Sequence, residues 1–272
     1  MIEAYKKYFR QDRIPHIWCA GCGNGTVIGA MLRAIYELNL DQDKTVIVSG
    51  IGCSSRATTY LDFNTLHTTH GRALAFATGV KLANPELNVF VIMGDGDSAA
   101  IGGNHLIHAC RRNIDLNAII INNSIYGMTG GQYSPLTPVG KNATTAPYGM
   151  MERNFDLCDL IKGAGGTYIA RSTCYHVKLL TDLIINAVKN KGFSVVEAIA
   201  QCPVNYGRKN KMKRPLEMLL WQKKNAVNVK AAAKMNKEQL KDKFIIGELH
   251  REEAPEFCAE YDILIEQVRK GR

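Results

Sequence analysis

Acidic and amide side chains follow two apolar runs of this sequence, and their types and spacing suit the binding of a metal and a phosphate. Residues 88–93 form a short apolar run that predicts a buried strand, and a glycine-rich turn over 94–97 follows it. A second apolar run, over 116–121, ends at Asn122 and Asn123. Because ligands of open α/β sheets bind at the carboxyl ends of the strands, we expect these polar groups to share one site.

The turn also fits the dinucleotide-binding pattern G-x-G-x-x-A, with Gly94, Gly96 and Ala99 in the required places. Two features argue against a dinucleotide. Asparagines stand where an acid would bind the ribose, and Asp95 would repel a pyrophosphate by roughly 4 kcal/mol at ~4 Å and an effective dielectric near 20. A divalent cation between Asp95 and the pyrophosphate turns this repulsion into attraction. Mg²⁺ commonly takes one or two carboxylates plus phosphate oxygens. An ordinary βαβ turn with solvated side chains stays open as the alternative.

Four of the eight cysteines lie in predicted turns. Cys19 and Cys22 form a C-x-x-C pair flanked by glycines, whereas Cys53 and Cys202 each follow a predicted strand. Four such thiols can hold a tetrahedral zinc ion or a [4Fe–4S] cluster, and a proline after the last cysteine is familiar from iron–sulfur proteins. Spacing alone leaves a cluster, zinc, and redox or structural thiols open. The remaining four are predicted to be small buried hydrophobic residues in or beside helices: Cys110, Cys158, Cys174 and Cys258.

The elements that must position these groups alternate between strand and helix along the chain. This alternation predicts an α/β fold with a doubly wound, mostly parallel sheet. Residues 57–70 are predicted to be loop, and the chain from 124 to about 148 is predicted to be irregular, which in a compact fold usually has a function. Predicted strands cover about 45–49, 88–93, 116–121, 166–170 and 193–200. Predicted helices cover about 26–38, 71–82, 155–163, 176–190 and 256–270, with a further one between the turn at 94–99 and the strand at 116–121, and residues 1–24 are predicted to be irregular.

The composition limits the class of protein. A chain of 272 residues can bury a full hydrophobic core. Its N-terminus lacks the apolar segment of a signal peptide, and no apolar run approaches the 18 residues of a membrane span. We therefore expect a cytoplasmic protein whose cysteines are reduced, so that they serve as metal ligands, catalytic thiols or core residues and not as disulfides.

The net charge of +9 is concentrated near the C-terminus. Residues 208–234, the basic band, contain nine basic side chains and one acidic one, a net charge of +8. Such a band suits an acidic protein partner or nucleic acid, or it is a solvated, mobile arm without a partner. We accordingly expect two parts, a ligand-binding domain over 1–203 and a basic arm with a helical tail over 204–272.

Taken together, the motifs resemble one family over roughly 18–203. They are W-C-x-G-C-G, G-I-G-C-S-S, H-G-R-A, then G-D-G-D with N-N after about 25 residues, and Y-G-M-T-G-G-Q-x-S-P. In this order they resemble the β subunit of the 2-oxoacid:ferredoxin oxidoreductases, most closely the 2-oxoglutarate enzymes. The resemblance implies the thiamine diphosphate-binding fold, in the form of the domain that holds the diphosphate.

The resemblance also implies a ligand set for each metal group. One [4Fe–4S] cluster would be held by Cys19, Cys22, Cys53 and Cys202. Mg²⁺ on thiamine diphosphate would be held by Asp95, Asn123 and the carbonyl of Ile125. The remaining cofactor-binding residues would be Ser54, Ser55, Gly94, Gly96, Asp97, Asn122, Met128 and Gly130.

Three further side chains are candidates for catalysis. Arg56 follows the third cysteine motif and could pair with a substrate carboxylate through its two-pronged guanidinium. His67 and His70 could donate hydrogen bonds near the thiazolium ring. A surface ion pair for Arg56 and ordinary loop contacts for the histidines are the alternatives.

The activity implied by the resemblance is coenzyme A-dependent oxidative decarboxylation of 2-oxoglutarate to succinyl-CoA and CO₂, or its reverse, with electrons passed to ferredoxin. Pyruvate or another 2-oxo acid is the alternative substrate. The expected partners are an α subunit carrying the pyrimidine-binding domain, without which this chain should be inactive, and a ferredoxin; we do not expect nucleic acid. A non-oxidative thiamine diphosphate decarboxylase and a zinc protein with a nucleic-acid-binding arm are the alternatives from other classes.

Overall fold

The central strands are short runs of β-branched and other apolar residues, and nearly every residue in them is buried. Residues buried on both faces of a sheet are typical of parallel strands covered by helices. The structure, a computed structural model, describes residues 2–271. Its strands are β1 (Thr45–Ser49), β2 (Asn64–His67), β3 (Asn88–Gly94), β4 (Asn117–Asn122), β5 (Tyr168–Thr173), β6 (Ser194–Ile199), β7 (Ala226–Asn228) and β8 (Phe244–Arg251).

All eight strands belong to one sheet, in the order β2-β1-β3-β4-β6-β5-β8-β7. The pairs from β2 to β5 are parallel, β8 runs antiparallel to β5, and β7 is parallel to β8. The predicted doubly wound, mostly parallel α/β sheet is therefore confirmed. The carboxyl ends of β1, β3, β4 and β6 meet at one edge, where the polar turns of the sequence follow the strands.

Helices cover both faces of this sheet. They are α1 (Ile2–Tyr8), α2 (Asn24–Glu37), α3 (Ala57–Tyr60), α4 (Ala73–Ala83), α5 (Gly103–Arg111), α6 (Leu157–Gly163), α7 (Val177–Lys189), α8 (Pro215–Asn225), α9 (Val229–Ala232) and α10 (Phe257–Arg269). Alternate strand residues point to opposite faces: Ile47 packs in the core under α2 and α7, whereas Val46 and Val48 pack in the core under α4, α5 and α6. Within residues 2–271, none of the helices combines the length and the apolar character that crossing a bilayer requires.

The structure differs from the sequence-based expectation in three segments. Within the N-terminal part that was expected to be irregular, Ile2–Tyr8 form α1, whose seven residues are too few to show a helical period. Residues 57–70 contain α3 and the edge strand β2, whose burial is too low to give an apolar signal. The supposed arm after residue 203 is not detached from the sheet, because β8 pairs with β5 and extends it. The apolar residues of β8 stand among charged ones and include Gly247 at φ +122°, so this strand does not show the alternation that predicts a strand.

Candidate active site

The first site lies where β3 and β4 end side by side. Gly94 pairs in register with Ile121, so the turn after β3 lies beside the turn after β4. Asp95 is buried, and one oxygen of its carboxylate accepts a hydrogen bond from the Ser134 hydroxyl. The Asn123 side-chain oxygen accepts from the backbone N–H of Ile125 at 3.3 Å. The two predicted metal-binding side chains are thus brought to one edge of the sheet.

The chemistry of Asp95 fits a bound cation. Burial raises the pKa of its carboxyl to about 7, although hydrogen bonds from Ser134 and from backbone N–H groups favour the charged form. A carboxylate removed from water is disfavoured unless a positive charge compensates for it. A divalent ion on Asp95 would supply that charge, and the amide oxygen of Asn123 and the backbone carbonyl of Ile125 are the oxygen ligands that Mg²⁺ prefers.

A cavity of about 130 Å³ opens beside these groups. Gly96 has to be a glycine, because a Cβ there would come within 2.2 Å of the Tyr126 ring, whose hydroxyl donates to the Gly96 carbonyl at 3.0 Å. The polypeptide is therefore closely packed beneath the turn. The predicted site residues that line this cavity are Cys53, Ser54, His70, Gly94, Asp95, Gly96, Asp97, Asn123, Ile125 and Met128.

Asp97 holds the loop that carries His70. Its Oδ1 lies 2.5 Å from His70 Nδ1 and accepts a hydrogen bond from the Gly71 N–H at 2.7 Å. Its Oδ2 is buried without a partner and faces Gly50, where a Cβ would approach it to 2.0 Å. Burial raises the pKa of the Asp97 carboxyl, although the hydrogen bond from the Gly71 N–H acts to lower it. With Nδ1 paired to Asp97, His70 has its second ring nitrogen free for the cavity that it lines.

The second site gathers the four cysteines of the predicted turns. Cys19, Cys22, Cys53 and Cys202 all line a cavity of about 260 Å³. Burial is the largest cause that raises the pKa of Cys53 to about 11, and the other three thiols raise it further, so all four lie within electrostatic reach of one another. Iron would replace their protons, because metal binding requires thiolates.

Neighbouring groups fit an iron–sulfur cluster in this cavity. A Cβ on Gly127 would come within 3.5 Å of Cys53 Sγ and 3.7 Å of Cys202 Sγ, so a larger residue there would reduce the space between the thiols. The amide of Asn24 donates to Cys22 Sγ at 3.3 Å. Between residues 2 and 271, no three His, Cys, Asp or Glu side chains converge as the ligands of a single metal ion do. In a [4Fe–4S] cubane each thiolate binds a different iron, so the four cysteine sulfurs lie farther apart than the ligands of a single metal ion.

The two cavities adjoin one another. Cys53, Asn123, Gly127 and Met128 line both of them. Cys53 is positioned by its backbone carbonyl, which accepts a hydrogen bond from the indole N–H of Trp18 at 2.7 Å. A cofactor at the Asp95 edge and a cluster among the cysteines would therefore be neighbours without a helix or strand between them.

Five residues predicted from the sequence do not line either cavity: Ser55, Arg56, His67, Asn122 and Gly130. Arg56 is half-buried and has no acidic partner within 4 Å among the residues described, and His67 is exposed at the end of β2. Ser55 is fully buried, and Gly130 is exposed at φ +118°. They adjoin lining residues along the chain, but neighbours in sequence point in different directions. Their roles in catalysis or cofactor binding stay predictions.

Other residues at the site were not predicted from the sequence. Tyr126 packs against Gly96, Ser134 donates to Asp95, Gly127 lies beside the Cys53 and Cys202 thiols, and Asn24 donates to Cys22. Tyr126, Gly127 and Ser134 belong to the Y-G-M-T-G-G-Q-x-S-P motif, so the motif itself was the available signal. The sequence gives no signal for Asn24, because an asparagine at the start of a helix is common.

Known proteins of one family are similar to this chain over nearly its whole length. Residues 50–198 match the family described as "Thiamine pyrophosphate enzyme, C-terminal TPP binding domain". The chain is 54% identical to the 2-oxoglutarate synthase subunit KorB of Methanothermobacter marburgensis, over 97% of this chain and 92% of the relative. The corresponding subunit of Archaeoglobus fulgidus is 51% identical, over 100% of this chain and 98% of the relative.

A solved structure is also similar. It is the 2-oxoglutarate:ferredoxin oxidoreductase from Magnetococcus marinus with 2-oxoglutarate, coenzyme A and succinyl-CoA bound, which matches with a TM-score of 0.87 at 32% identity, over 97% of this chain and 90% of that chain. The likeness extends beyond residue 203, although the motifs that resemble the family end there. The chain belongs to the thiamine pyrophosphate enzymes and, within them, to the family of 2-oxoglutarate synthase KorB subunits.

Proposed function

We propose that this chain is the β subunit of a 2-oxoglutarate:ferredoxin oxidoreductase, which converts 2-oxoglutarate and coenzyme A to succinyl-CoA and CO₂ or runs the reverse reaction. Thiamine diphosphate, when bound, supplies the chemistry that breaks the bond between the 2-oxo carbon and the carboxylate. A [4Fe–4S] cluster supplies one-electron transfer. The observation that carries the proposal is that the Asp95 cavity and the cysteine cavity share four lining residues.

The chain's own residues would divide the work as follows. Asp95, Asn123 and the Ile125 carbonyl would hold Mg²⁺, while the N–H groups of the Gly94–Asp97 turn favour the diphosphate. The four cysteines at 19, 22, 53 and 202 would bind the cluster. Ser134 orients the Asp95 carboxylate, and Asp97 orients His70 toward the cofactor cavity.

The size and the rim of the Asp95 cavity support the proposal that a partner subunit completes it. Its volume of about 130 Å³ is below the ~300–1,000 Å³ typical of sites that enclose a small ligand, so this chain would hold only part of the cofactor. Ile51 and Met128 line the cavity and are 41% and 42% exposed. Apolar side chains at the rim are suited to burial under another protein surface. An α subunit with the pyrimidine-binding domain would complete the site.

The complete complex should prefer 2-oxoglutarate to pyruvate by 100-fold or more in kcat/KM. Pyruvate lacks the distal carboxylate, and a buried cation that loses its partner costs several kcal/mol, each ~1.4 kcal/mol being tenfold. Initial rates with both substrates and a saturating electron acceptor measure this ratio. Equal use of pyruvate would contradict the substrate assignment.

Arg56→Met should lower this preference at least about tenfold, because Arg56 is half-buried, lies two residues after the cavity-lining Ser54, and has no acidic partner among the described residues. Arg112→Met, which removes an exposed arginine after α5, is the matched control and should leave the ratio unchanged. An unchanged ratio for Arg56→Met would assign recognition of the distal carboxylate to another residue, leaving the substrate assignment in place.

The basic band should dock ferredoxin. A Cβ on Gly21, inside the C-x-x-C turn, would come within 2.2 Å of Pro215, so the start of α8 packs directly on the cysteine loop. Lys211, Lys213 and Arg214 precede this proline and are exposed. Ferredoxins are acidic as a class. Complementary charges act mainly on the rate of encounter and are screened beyond about 10 Å at ~0.1 M salt.

Neutralising Lys209, Lys211 and Lys213 together should therefore slow ferredoxin reduction about tenfold at low salt and flatten its salt dependence. Reduction of a neutral dye should not change. A control triple at Lys162, Lys189 and Lys191 removes the same charge from the opposite end of the sheet and should leave both rates unaltered. An equal fall of the dye rate would show that the band serves assembly instead of docking.

A further inference from the structure

Asn122 is held at both ends of its side-chain amide, although it does not line the cofactor cavity. Its Nδ2 donates to Glu197 Oε1 at 2.7 Å, and its Oδ1 accepts from the backbone N–H of Ser124 at 3.1 Å. An ionised carboxylate can only accept hydrogen bonds, so Glu197 fixes which end of the amide faces it. The oxygen must then face Ser124.

Glu197 is itself held by a chain of charged groups across the sheet. It is 2% exposed, and its second oxygen accepts from Arg171 Nε at 2.6 Å. Arg171 Nη2 donates to Asp156 Oδ1 at 2.6 Å, and Asp156 accepts from the backbone N–H of Cys158 at the start of α6. This relay, Asp156–Arg171–Glu197, therefore joins α6, β5 and β6 to the end of β4.

The turn that Asn122 closes contains the proposed metal ligands. Ser124 lies in the left-handed region at φ +60°, a conformation that a non-glycine residue adopts at some cost. The hydrogen bond from Ser124 N–H to Asn122 holds that conformation. Asn123 lies inside the turn and Ile125 follows it, so the direction of both depends on the orientation of the Asn122 amide.

We propose that the relay is a positioning device for the metal loop: through Asn122 it holds the Asn123 oxygen and the Ile125 carbonyl where Mg²⁺ binds. This inference rests on the Mg²⁺ site of the proposed function. A buried ion pair is seldom retained for stability, since well-packed apolar residues often serve as well or better. Partners behind metal ligands, by contrast, commonly change metal affinity 10–100-fold when they are mutated.

Glu197→Gln tests the relay with little change of shape. Arg171 and Asn122 donate to different oxygens of Glu197, and a glutamine keeps only one of these oxygens, so one of the two donors loses its acceptor. If its oxygen stays with Arg171, its NH₂ faces Asn122, whose amide then flips and presents a donor to the Ser124 N–H. In the metal-free complex with the partner subunit, titrated anaerobically at saturating thiamine diphosphate, we expect the calorimetric Kd for Mg²⁺ to rise about tenfold or more. The kcat at saturating Mg²⁺ should change much less.

The double variant Asn122→Asp with Glu197→Gln should restore the affinity. The introduced aspartate would accept from both the glutamine NH₂ and the Ser124 N–H, and the total charge is unchanged. We expect its Kd for Mg²⁺ to return to within about threefold of wild type, well below that of Glu197→Gln. A double variant as weak as Glu197→Gln would overturn the relay.

Two further variants separate the possible failures. Asp115→Asn breaks the ion pair with the buried Lys81, in which Lys81 Nζ and Asp115 Oδ2 are 2.7 Å apart. Asp115 lies just before β4, at the end opposite Asn122, so this variant should lower the melting temperature without changing the Kd for Mg²⁺. Asp95→Asn tests the metal site itself. If Asp95→Asn weakens Mg²⁺ binding and Glu197→Gln does not, the relay is overturned. If neither weakens it, the proposed metal site fails as well.

Discussion

Cys19→Ala and Cys202→Ala should each lose most of the iron of the anaerobic protein, from about four atoms per chain to fewer than about one. Each thiolate of a cubane binds a different iron, so removing one leaves an iron without its protein ligand. Cys19 is exposed, which would open that position to solvent. Iron content, measured together with absorbance near 400 nm, tests this prediction.

The chain provides two matched controls for the cysteines. Cys110 is on the buried face of α5, in the core, and Cys110→Ala should keep its iron. Cys174 is the more stringent control, because a Cβ on Gly23, next to the C-x-x-C motif, would come within 2.9 Å of Cys174 Sγ. Burial and the nearby Cys22 raise the pKa of Cys174 to about 12, so we expect a neutral thiol and full iron in Cys174→Ala. Loss of iron there, with retention in Cys19→Ala, would contradict the ligand set.

Asp95→Asn should raise the Mg²⁺ and thiamine diphosphate concentrations needed for half-saturation by about 100-fold, or roughly 3 kcal/mol. The substitution removes the one negative charge among the proposed metal ligands and keeps their shape. The metal-free protein should fold normally, since burial disfavours the charged form of this carboxyl and raises its pKa to about 7. Calorimetry on the complex with the partner subunit measures both affinities.

Ser134→Ala provides a graded comparison. It removes the hydroxyl that donates to Asp95 but leaves the carboxylate, so the affinity for Mg²⁺ should fall about tenfold, less than in Asp95→Asn. Unchanged cofactor affinity in Asp95→Asn would sink the metal assignment. An equal loss of Mg²⁺ affinity in both variants would mean that the negative charge of Asp95 contributes nothing beyond what the Ser134 hydrogen bond provides.

The strands around the site were predictable because they are buried on both faces. β1, β3, β4 and β6 are apolar runs bounded by glycine or polar residues, and each predicted bound lies within one residue of the observed one. Since parallel strands place their carboxyl ends at one edge, the proximity of Asp95 and Asn123 followed from chain order alone. β2 and β8 were missed because an edge strand with exposed residues and a strand among charged residues show no such run.

Side-chain direction was not predictable. Asn122 and Asn123 are neighbours in sequence, yet one turns toward Glu197 and the other lines the cofactor cavity. That outcome depends on a buried carboxylate 75 residues away, on a strand that pairs with β4. Likewise, the partnership of Ser134 with Asp95 is decided by the course of an irregular loop, which has no periodicity from which to predict it.

The metal content of the anaerobically purified wild-type protein tests the central claim most directly, because it separates the two kinds of site that four clustered cysteines can form. We predict about four iron atoms per chain, an absorbance near 400 nm that bleaches with 2-oxoglutarate and coenzyme A in the complete complex, and no stoichiometric zinc. One zinc per chain without iron or colour would contradict the account, since the chain would then have no route for electrons from the cofactor site.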